Sequence, residues 1–192
     1  LKFAFATNGT DIIEYDYFTS IEREVDRFPT PAELWERYQT GQRLGPEASA
    51  ALLLPYYSQP NKEPRYYQKI AITRAVEAVI GGRRRNLLTM ATGTGKTQIC
   101  WKLWSSGWNA RGEVGRRPRI LFLADRNVVV DDPMAKDFAP FGDARHKIQG
   151  EAIKSREMYF AIYQSIAADE KRPGLYKEYA PDFFDLVVVD EC

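Results

Sequence analysis

A short run of glycine, threonine and lysine near the middle of the chain has the composition of a loop that binds phosphate groups. Residues 91–97 are Ala-Thr-Gly-Thr-Gly-Lys-Thr. Gly93 and Gly95 lack a Cβ, so the backbone can curl until successive N–H groups point inward at an anion. In such a loop the ammonium group of Lys96 reaches the β- and γ-phosphates of a nucleotide, and the hydroxyl group of Thr97 binds a magnesium ion. The run therefore predicts a site for a nucleoside triphosphate.

The flanking residues favour this interpretation of the loop. Apolar residues 87–90 predict a buried strand before it, and residues 96–106 predict a helix whose N-terminus adds its positive dipole end. Met90 stands where the usual pattern has its first glycine, so the loop is a variant form. The alternative is a glycine turn that happens to precede Lys-Thr. We expect the phosphate-binding groups to come from Thr92, Gly93, Thr94, Gly95, Lys96 and Thr97.

Two adjacent carboxylates near the end of the sequence form a second candidate. Asp190 and Glu191 directly follow the apolar run 186–189, Leu-Val-Val-Val. Ligands of open α/β sheets bind at the carboxyl ends of the strands, so these side chains would face the phosphate site. Asp190 would hold magnesium, directly or through water, and Glu191 would orient and deprotonate the attacking water. The alternative is a strand that simply ends in an acidic turn.

The elements that must position these residues are predicted by hydrophobic patterning. Continuous apolar runs predict buried strands at residues 87–90, 120–124, 159–162 and 186–189, and helices are predicted at residues 66–80 and 96–106. Buried strands that alternate with helices are typical of a parallel sheet covered on both faces. The expected fold class is therefore α/β.

The first third of the chain has a different pattern. Residues 1–18 predict a β-hairpin that turns at an Asn-Gly pair, which tolerates the positive φ angles of a tight turn. Thr30 and Glu33 predict a capping box at the start of a helix that ends at Gly41. The proline-rich residues 41–64 predict a linker. We expect three parts: a hairpin from the end of an upstream domain at residues 1–28, a helix and linker at 29–64, and the α/β part at 65–192.

The composition excludes several classes of protein. Hydrophobic residues make up 44% and charged residues 28% of the 192 residues, which is a globular and not a disordered composition. No apolar run reaches the roughly 18–20 residues that a membrane span needs. Cys100 and Cys192 are the only cysteines, so a disulfide framework is excluded and a reducing cytoplasm is expected.

The charge balance leaves nucleic-acid binding open. The net charge is +1, so any contact with DNA must come from local basic groups. Two basic runs, residues 83–85 and 116–119, either meet DNA phosphates or form solvated loops before a strand, and the solvated loop is the favoured interpretation.

The glycine-rich loop and the acidic pair together resemble the motifs of a known class of nucleotide-driven motors. Ala-Thr-Gly-Thr-Gly-Lys-Thr and Asp-Glu-Cys look like motifs I and II of the superfamily-two helicases and translocases. In that family motif II is commonly Asp-Glu-x-His, and the sequence stops where the histidine would be next. The resemblance implies the first half of a RecA-like P-loop domain, with ATP and magnesium as its ligands.

Two further segments resemble the same family. Residues 123–127, Leu-Ala-Asp-Arg-Asn, look like motif Ia, which in the family touches the DNA backbone, so Arg126 and Asn127 are candidate phosphate contacts. For Arg126 the alternative is a loop arginine in a salt bridge. Gln68 lies where the family places a glutamine that reads adenine, and a side-chain amide can pair bidentately with that base. The alternative for Gln68 is a helix residue that faces solvent.

The N-terminal residues narrow the resemblance. Residues 3–9 and 27–31 look like the junction between nuclease and motor in the R subunits of type I restriction enzymes. That family couples ATP hydrolysis to movement on duplex DNA, works with methylation and specificity subunits, and would have its nuclease residues upstream of this chain. Because the sequence ends just after a predicted core strand, we expect part of a longer gene product that alone hydrolyses ATP barely, if at all.

Two other functions remain open. Another superfamily-two helicase or remodelling motor would keep the phosphate-site residues but lose the N-terminal junction. A nucleotide-binding module without motor action, in which ATP only switches conformation, would bind ATP without turnover that responds to DNA.

Overall fold

The computed structural model describes residues 2–55, 63–89, 96–168 and 173–190 of the chain. The chain falls into two compact units, Leu1–Ser49 (unit 1) and Ala50–Cys192 (unit 2). The division lies inside a short helix, and it also lies inside the segment 29–64 that the sequence assigns to a helix and linker.

Unit 1 contains a three-stranded antiparallel sheet. β1 (Phe3–Thr7), β2 (Ile12–Asp16) and β3 (Ile21–Val25) lie in the order β1-β2-β3. The predicted hairpin is confirmed as β1 and β2, and its turn has Gly9 at a φ of +98°. The sequence does not predict β3, because Ile-Glu-Arg-Glu-Val is mostly charged and the strand is largely exposed.

The first helix, α1 (Pro31–Gln42), begins with the predicted capping box. The hydroxyl group of Thr30 accepts a hydrogen bond from the backbone N–H of Glu33 at 3.3 Å, and the Glu33 carboxylate accepts one from the backbone N–H of Thr30 at 2.7 Å. The prediction that Gly41 ends this helix is wrong, because the helix runs one residue beyond it. A Cβ at Gly41 would clash with the ring of Phe18, so close packing requires the glycine there.

A buried carboxylate links the sheet of unit 1 to α1. Glu14 on β2 is fully buried, and it pairs with Arg23 on β3 at 3.1 Å and with Arg37 on α1. Arg37 also donates a hydrogen bond to Asp16 at 2.8 Å. Burial alone would raise the pKa of Glu14, but the hydrogen bonds from Arg37 and Arg23 outweigh burial and lower that pKa. An ionic cluster therefore joins the helix to the sheet.

Part of the predicted linker is helical. α2 (Pro46–Leu53) lies within residues 41–64, and its Ala48 and Ala51 are buried. Small side chains without a strong period of 3.6 residues give little sign of such a helix in the sequence. Residues 56–62 of the linker lie outside the described residues.

Unit 2 contains a parallel sheet of four strands, as the alternation of apolar strands and helices predicts. The strands are β4 (Ile120–Ala124), β5 (Arg145–Lys147), β6 (Met158–Ile162) and β7 (Leu186–Val189), in the order β5-β6-β4-β7. The helices in the described residues are α3 (Tyr66–Ile80), α4 (Lys96–Ser106), α5 (Asn127–Ala135) and α6 (Tyr163–Ile166), with 3₁₀ turns at Ala139–Ala144 and Leu175–Glu178. Every residue of β4 is buried, whereas β5 is three polar residues and gives no signal in the sequence.

The strand predicted at residues 87–90 is not found in the part of the chain that the structure describes. Leu87, Leu88 and Thr89 form no strand, and Leu87 is 84% exposed. Leu88 packs against the apolar cluster between α3 and α4, so it contacts helices and does not pair in the sheet. Met90 lies outside the described residues. An apolar run by itself does not distinguish these two environments.

Apolar side chains cover both faces of the sheet in unit 2. On one face Phe122 and Phe160 pack against Phe138, and α4 and α5 complete the cluster. On the other face Tyr159 packs against Tyr179. Burial on two faces explains why the strands of this sheet are continuous apolar runs. Within the described ranges, every helix is too short or too polar to span a bilayer.

Candidate functional site

The structure brings the lysine of the glycine-rich loop together with the aspartate that follows β7. Lys96 is the first residue of α4, and its Nζ donates to Oδ1 of Asp190 in an ion pair. The two residues are 94 positions apart in the sequence. Their side chains are 28% and 14% exposed, so water only partly screens the pair. The contact joins the two segments that the sequence assigns to one phosphate site.

The position of Asp190 is fixed by its backbone. Its N–H group donates to the carbonyl oxygen of Leu123 at 2.8 Å, which continues the parallel pairing of β7 with β4 by one residue. Asp190 therefore lies beside the carboxyl end of β4, where the chain leads into Asp125 and Arg126. Carboxyl ends of parallel strands are where open α/β sheets bind their ligands.

Several predicted site residues lie outside the described residues. These are Thr92, Gly93, Thr94 and Gly95 of the glycine-rich loop, and Glu191 after β7. Thr97 is described, and it is the half-buried second residue of α4. The predicted roles of these side chains therefore stay predictions.

Arg126 and Asn127 lie at the exposed start of α5. The Arg126 side chain is 79% exposed, and its Nε donates to Oδ2 of Asp125 at 3.2 Å. Asn127 is the first residue of α5 and is also exposed. The salt bridge proposed as the alternative for Arg126 is thus present. A pair this exposed contributes little to stability, so Arg126 can exchange Asp125 for another anion.

Gln68 closes the first turn of α3. It is the third residue of that helix, and its Oε1 accepts a hydrogen bond from the backbone N–H of Arg65 at 2.7 Å. The Gln68 side chain is half-buried and hydrogen-bonded, so it does not simply face solvent, as the alternative interpretation expects. α3 packs on α4 through Ile72 and Leu103, and this contact sets the position of Gln68 relative to the helix that begins with Lys96. Its contact with adenine stays a prediction.

The basic run 116–119 has a structural role that sequence reasoning missed. Arg116 pairs with Asp185 through two hydrogen bonds, of 2.7 and 2.8 Å, and the Asp185 side chain is only 1% exposed. Asp185 also accepts from the backbone N–H groups of Arg119, at 2.8 Å, and Ala110, at 2.9 Å. Burial would raise the pKa of Asp185, but these hydrogen bonds, led by those from Arg116, outweigh burial and lower it.

The other two arginines of this run lie on aromatic rings. The Arg117 guanidinium lies 3.7 Å from the ring centre of Trp104, and that of Arg119 lies 4.4 Å from the ring centre of Phe183. Neither of the two sequence interpretations, a DNA contact or a solvated loop, is therefore adequate for this run. Its arginines pack the amino ends of β4 and β7, opposite the edge that carries Asp190.

Lys102 is a second buried charge that the motifs do not reveal. It lies on α4 almost without exposure, and its Nζ donates to the carbonyl oxygens of Leu52 at 3.0 Å and Leu54 at 2.7 Å. Burial lowers the pKa of Lys102. These carbonyl groups lie at the carboxyl end of α2, so Lys102 holds α4 against α2. The sequence could have indicated this buried lysine, because Lys102 stands among the apolar residues of the predicted helix.

The chemistry of the donor set fits magnesium. The hydroxyl group of Thr97 and the carboxylate of Asp190 are hard oxygen ligands of the kind that magnesium prefers. Thr97 directly follows Lys96 at the start of α4, and Lys96 contacts Asp190. Magnesium is usually held by one or two such protein ligands together with nucleotide phosphates.

Comparison with known proteins shows which family the chain is similar to. A family model described as the Res subunit of type III restriction enzymes matches residues 61–192. The endonuclease subunit of the type I restriction enzyme EcoAI from Escherichia coli is 43% identical over 204 residues, which cover all of this chain and 24% of that protein. The EcoKI endonuclease subunit from Escherichia coli strain K12 is 30% identical over 142 residues, which cover 67% of this chain and 11% of that protein.

A solved structure is also similar to this chain. A fragment assigned to the HsdR subunit of a type I restriction enzyme from Vibrio vulnificus YJ016 superposes with a TM-score of 0.80 at 54% identity. The match covers all of this chain and 34% of that one, and it confirms the RecA-like α/β fold that the motifs imply. This chain spans about a quarter or less of the length of the curated relatives. The chain therefore belongs to the Res subunit family of restriction enzymes, among the endonuclease (R) subunits of the type I enzymes.

Proposed function

We propose that this chain is part of a motor that hydrolyses ATP and moves along duplex DNA within a type I restriction enzyme. The observation that carries the proposal is the ion pair between Lys96 and Asp190. Lys96, the candidate phosphate-binding cation, and Asp190, the candidate metal ligand, are far apart in the sequence and in contact at the edge of a parallel sheet, which is where ligands of such sheets bind. A P-loop ATPase needs both groups at one site, the lysine for the phosphates and the aspartate for the metal.

Each predicted residue has a defined role in the proposed site. The loop from Thr92 to Gly95 would surround the phosphates with backbone N–H groups, and Lys96 would contact the β- and γ-phosphates. Thr97 and Asp190 would hold magnesium, which would neutralise phosphate charge. Glu191 would orient and deprotonate the attacking water, and Gln68 would pair with adenine through its amide group.

The proposed DNA contact lies close to the proposed ATP site. Arg126 and Asn127 follow β4, and the backbone N–H of Asp190 is hydrogen-bonded to β4 at Leu123, three residues before Arg126. A change in the position of Asp190 when ATP binds or is hydrolysed would therefore act directly on the end of β4. We propose that this backbone hydrogen bond couples the nucleotide to a phosphate of the DNA backbone.

The partners of the proposed motor follow from its relatives. The curated relatives are named as endonuclease subunits of type I restriction enzymes. We therefore propose that the full-length protein binds duplex DNA, assembles with methylation and specificity subunits, and works in the cytoplasm.

The proposal is tested by ATP hydrolysis of the full-length protein with its partner subunits, with and without duplex DNA. We expect DNA to stimulate hydrolysis strongly, and we expect Lys96→Ala to lower the stimulated rate by at least about 100-fold, because the γ-phosphate loses its cation. The matched control is Lys136→Ala, an exposed lysine at the end of α5 that pairs with Asp132. It should hydrolyse ATP as the unchanged enzyme does.

Two results would contradict the proposal. Hydrolysis that is indifferent to DNA would favour a nucleotide-driven switch without motor action. Full stimulation by DNA in the Lys96→Ala enzyme would place the ATP site elsewhere in the full-length protein.

A further inference from the structure

The helix that carries the proposed DNA contact has little stability of its own. α5 is 9 residues long, shorter than the roughly 12–15 residues that an isolated helix needs in water. Its valines at residues 128–130 are stiff, β-branched residues that form helices less readily, and Pro133 has no backbone N–H to donate to the preceding turn. The positions of Arg126 and Asn127 therefore depend on what holds α5 against the rest of unit 2.

Apolar packing draws α5 onto the sheet. Val130 is fully buried in the cluster that contains Phe122 and Phe160, and Val129 and Met134 pack against that cluster in part. Apolar attraction is non-directional, so it does not by itself fix how far a short helix tilts or turns on the sheet. A directional contact is needed to fix the start of α5.

Two cations of the strand β5 supply directional contacts. The Nζ of Lys147 lies 2.5 Å from Oδ1 of Asp131, and Arg145 donates a hydrogen bond to the backbone carbonyl oxygen of Met134. Lys147 and Arg145 are two residues apart on a strand, so their side chains leave the sheet on the same face. Because these contacts have a preferred geometry and meet α5 at two points, they fix its orientation.

The Lys147–Asp131 pair is set back from the edge where DNA would bind. Lys147 lies opposite Phe160, two residues or about 7 Å before the carboxyl end of β6. Asp131 follows Asn127 by four residues, or about 6 Å along α5. The Lys147 side chain is only 19% exposed. The pair therefore lies one helical turn behind the proposed contact, where it can hold α5 without reaching a phosphate itself.

We propose that Lys147 is a positioning residue for the DNA contact of the proposed motor. By pairing with Asp131, it holds α5 in the orientation in which Arg126 and Asn127 reach the duplex backbone. This role rests on the proposed DNA contact. Without the pair, the cation of Arg126 is still present, but its helix has more freedom, and DNA binding must restrict that freedom at a cost in affinity.

The test measures the dissociation constant of the full-length protein for duplex DNA. Asp131→Asn removes a negative charge near the DNA, so charge alone would tighten binding. Because the pair with Lys147 is lost, we expect binding that is roughly three to five times weaker instead. Lys147→Met should weaken binding to a similar extent. Tighter or unchanged binding by Asp131→Asn would overturn the proposal.

The matched control is Asp132→Asn. Asp132 is the next residue of α5, and it pairs at 3.2 Å with Lys136, which follows the same helix, and not with the sheet. The control loses the same charge without losing a contact to β5, so we expect binding that is unchanged or slightly tighter. A loss of affinity equal to that of Asp131→Asn would show that the contact with Lys147 is not the cause, and it would overturn the proposal.

Removal of the proposed contact distinguishes positioning from direct binding. In a protein that carries both Arg126→Ala and Asn127→Ala, α5 has no DNA contact left to position. We therefore expect Lys147→Met to cause no further loss of affinity in that protein. An equal loss with and without Arg126 and Asn127 would show that Lys147 binds DNA itself, and it would overturn the positioning role.

The outcomes also separate the role of Lys147 from the function beneath it. If Arg126→Ala with Asn127→Ala binds DNA as the unchanged protein does, the proposed DNA contact is wrong. If that variant loses affinity but Lys147→Met and Asp131→Asn do not, only the positioning role is wrong. We expect the affinity for magnesium–ATP to stay the same in every variant. Its loss in Lys147→Met would show general damage to unit 2 and would also overturn the positioning role.

Discussion

Asp185 illustrates how a single buried carboxylate fixes two strands of the parallel sheet of unit 2. It lies one residue before β7, and it accepts hydrogen bonds from the guanidinium of Arg116 and from the backbone N–H of Arg119, one residue before β4. The amino ends of the two strands are therefore tied together at the edge opposite Asp190. The sequence gives no local sign of this pair, because its members are 69 residues apart and match no motif.

We expect Asp185→Asn to destabilise unit 2 by about 3 kcal/mol at pH 7, because Arg116 loses its buried partner. The folded-state pKa of Asp185 is lowered from 3.8, so the stabilising contribution is complete above pH 3.8 and is lost as the pH falls through the lowered value. The difference in stability between Asp185→Asn and the unchanged protein should therefore disappear in strong acid.

The native thiol of Cys100 reports this stability. Cys100 is fully buried, and burial raises its pKa to about 12, so a disulfide reagent reaches it only when unit 2 opens. The measurement at neutral pH is the urea concentration at which Cys100 of the full-length protein becomes reactive. In acid, where little thiolate forms, it is the urea midpoint followed by circular dichroism. Asp182→Asn is the control, since Asp182 is exposed and pairs with Arg111. An equal loss in both variants would contradict the role of Asp185.

Candidate site residues can be identified from the sequence only where they belong to a motif. Lys96 and Asp190 belong to such motifs, and the structure brings the two into contact, while their roles toward phosphate and magnesium stay predictions. Lys102 and Arg116 are not identified in this way, because their functions depend on partners that only the folded chain brings near. Gln68 is intermediate, since the sequence identifies it but does not show that it also closes the first turn of α3.

At the scale of elements, α4 connects the candidate site to the rest of unit 2. Its first residue contacts Asp190, its Cys100 packs on the sheet, and its Leu103 packs on α3. Lys102 adds the contact with the carboxyl end of α2. The orientation of α4 therefore depends on elements that lie away from the candidate site.

We expect Lys102→Met to weaken the attachment of α2 to α4 by about 2 kcal/mol, because two carbonyl groups lose a charged donor. Hydrogen exchange of the full-length protein measures this change directly, as faster exchange of the amides in α2 and in the second half of α4. Lys136→Met is the control, since Lys136 is exposed and its partner Asp132 lies one turn away on α5. Unchanged exchange in α2 after Lys102→Met would contradict this role.

The sequence predicts a strand where all of its consecutive residues are apolar because both faces of the sheet are buried. β4, β6 and β7 are apolar runs buried in a parallel sheet, and the sequence identifies all three. β3 and β5 are short and mostly polar, so nothing in their sequences marks them as strands. At residues 87–90 the sequence predicts a strand that the structure does not show at residues 87–89. Leu88 packs on helices there, and Leu87 faces solvent.

At the scale of the whole molecule, the chain consists of two units with different kinds of packing. Unit 1 is a small antiparallel sheet with the ionic cluster around Glu14, and unit 2 is a parallel sheet covered on both faces. The sequence predicted this contrast from the change in pattern, but it placed the boundaries at residues 28 and 64 of the chain. The structure divides the chain at Ser49, within α2.

The most direct test of the proposed motor is movement along DNA by the full-length protein assembled with its partner subunits. A third DNA strand bound at a distance from the recognition site is released when a motor passes through it. We predict that ATP causes this release, that Lys96→Ala abolishes it, and that the exposed control Lys136→Ala retains it. Release that persists in Lys96→Ala, or hydrolysis stimulated by DNA without any release, would contradict a motor powered by the site where Lys96 meets Asp190.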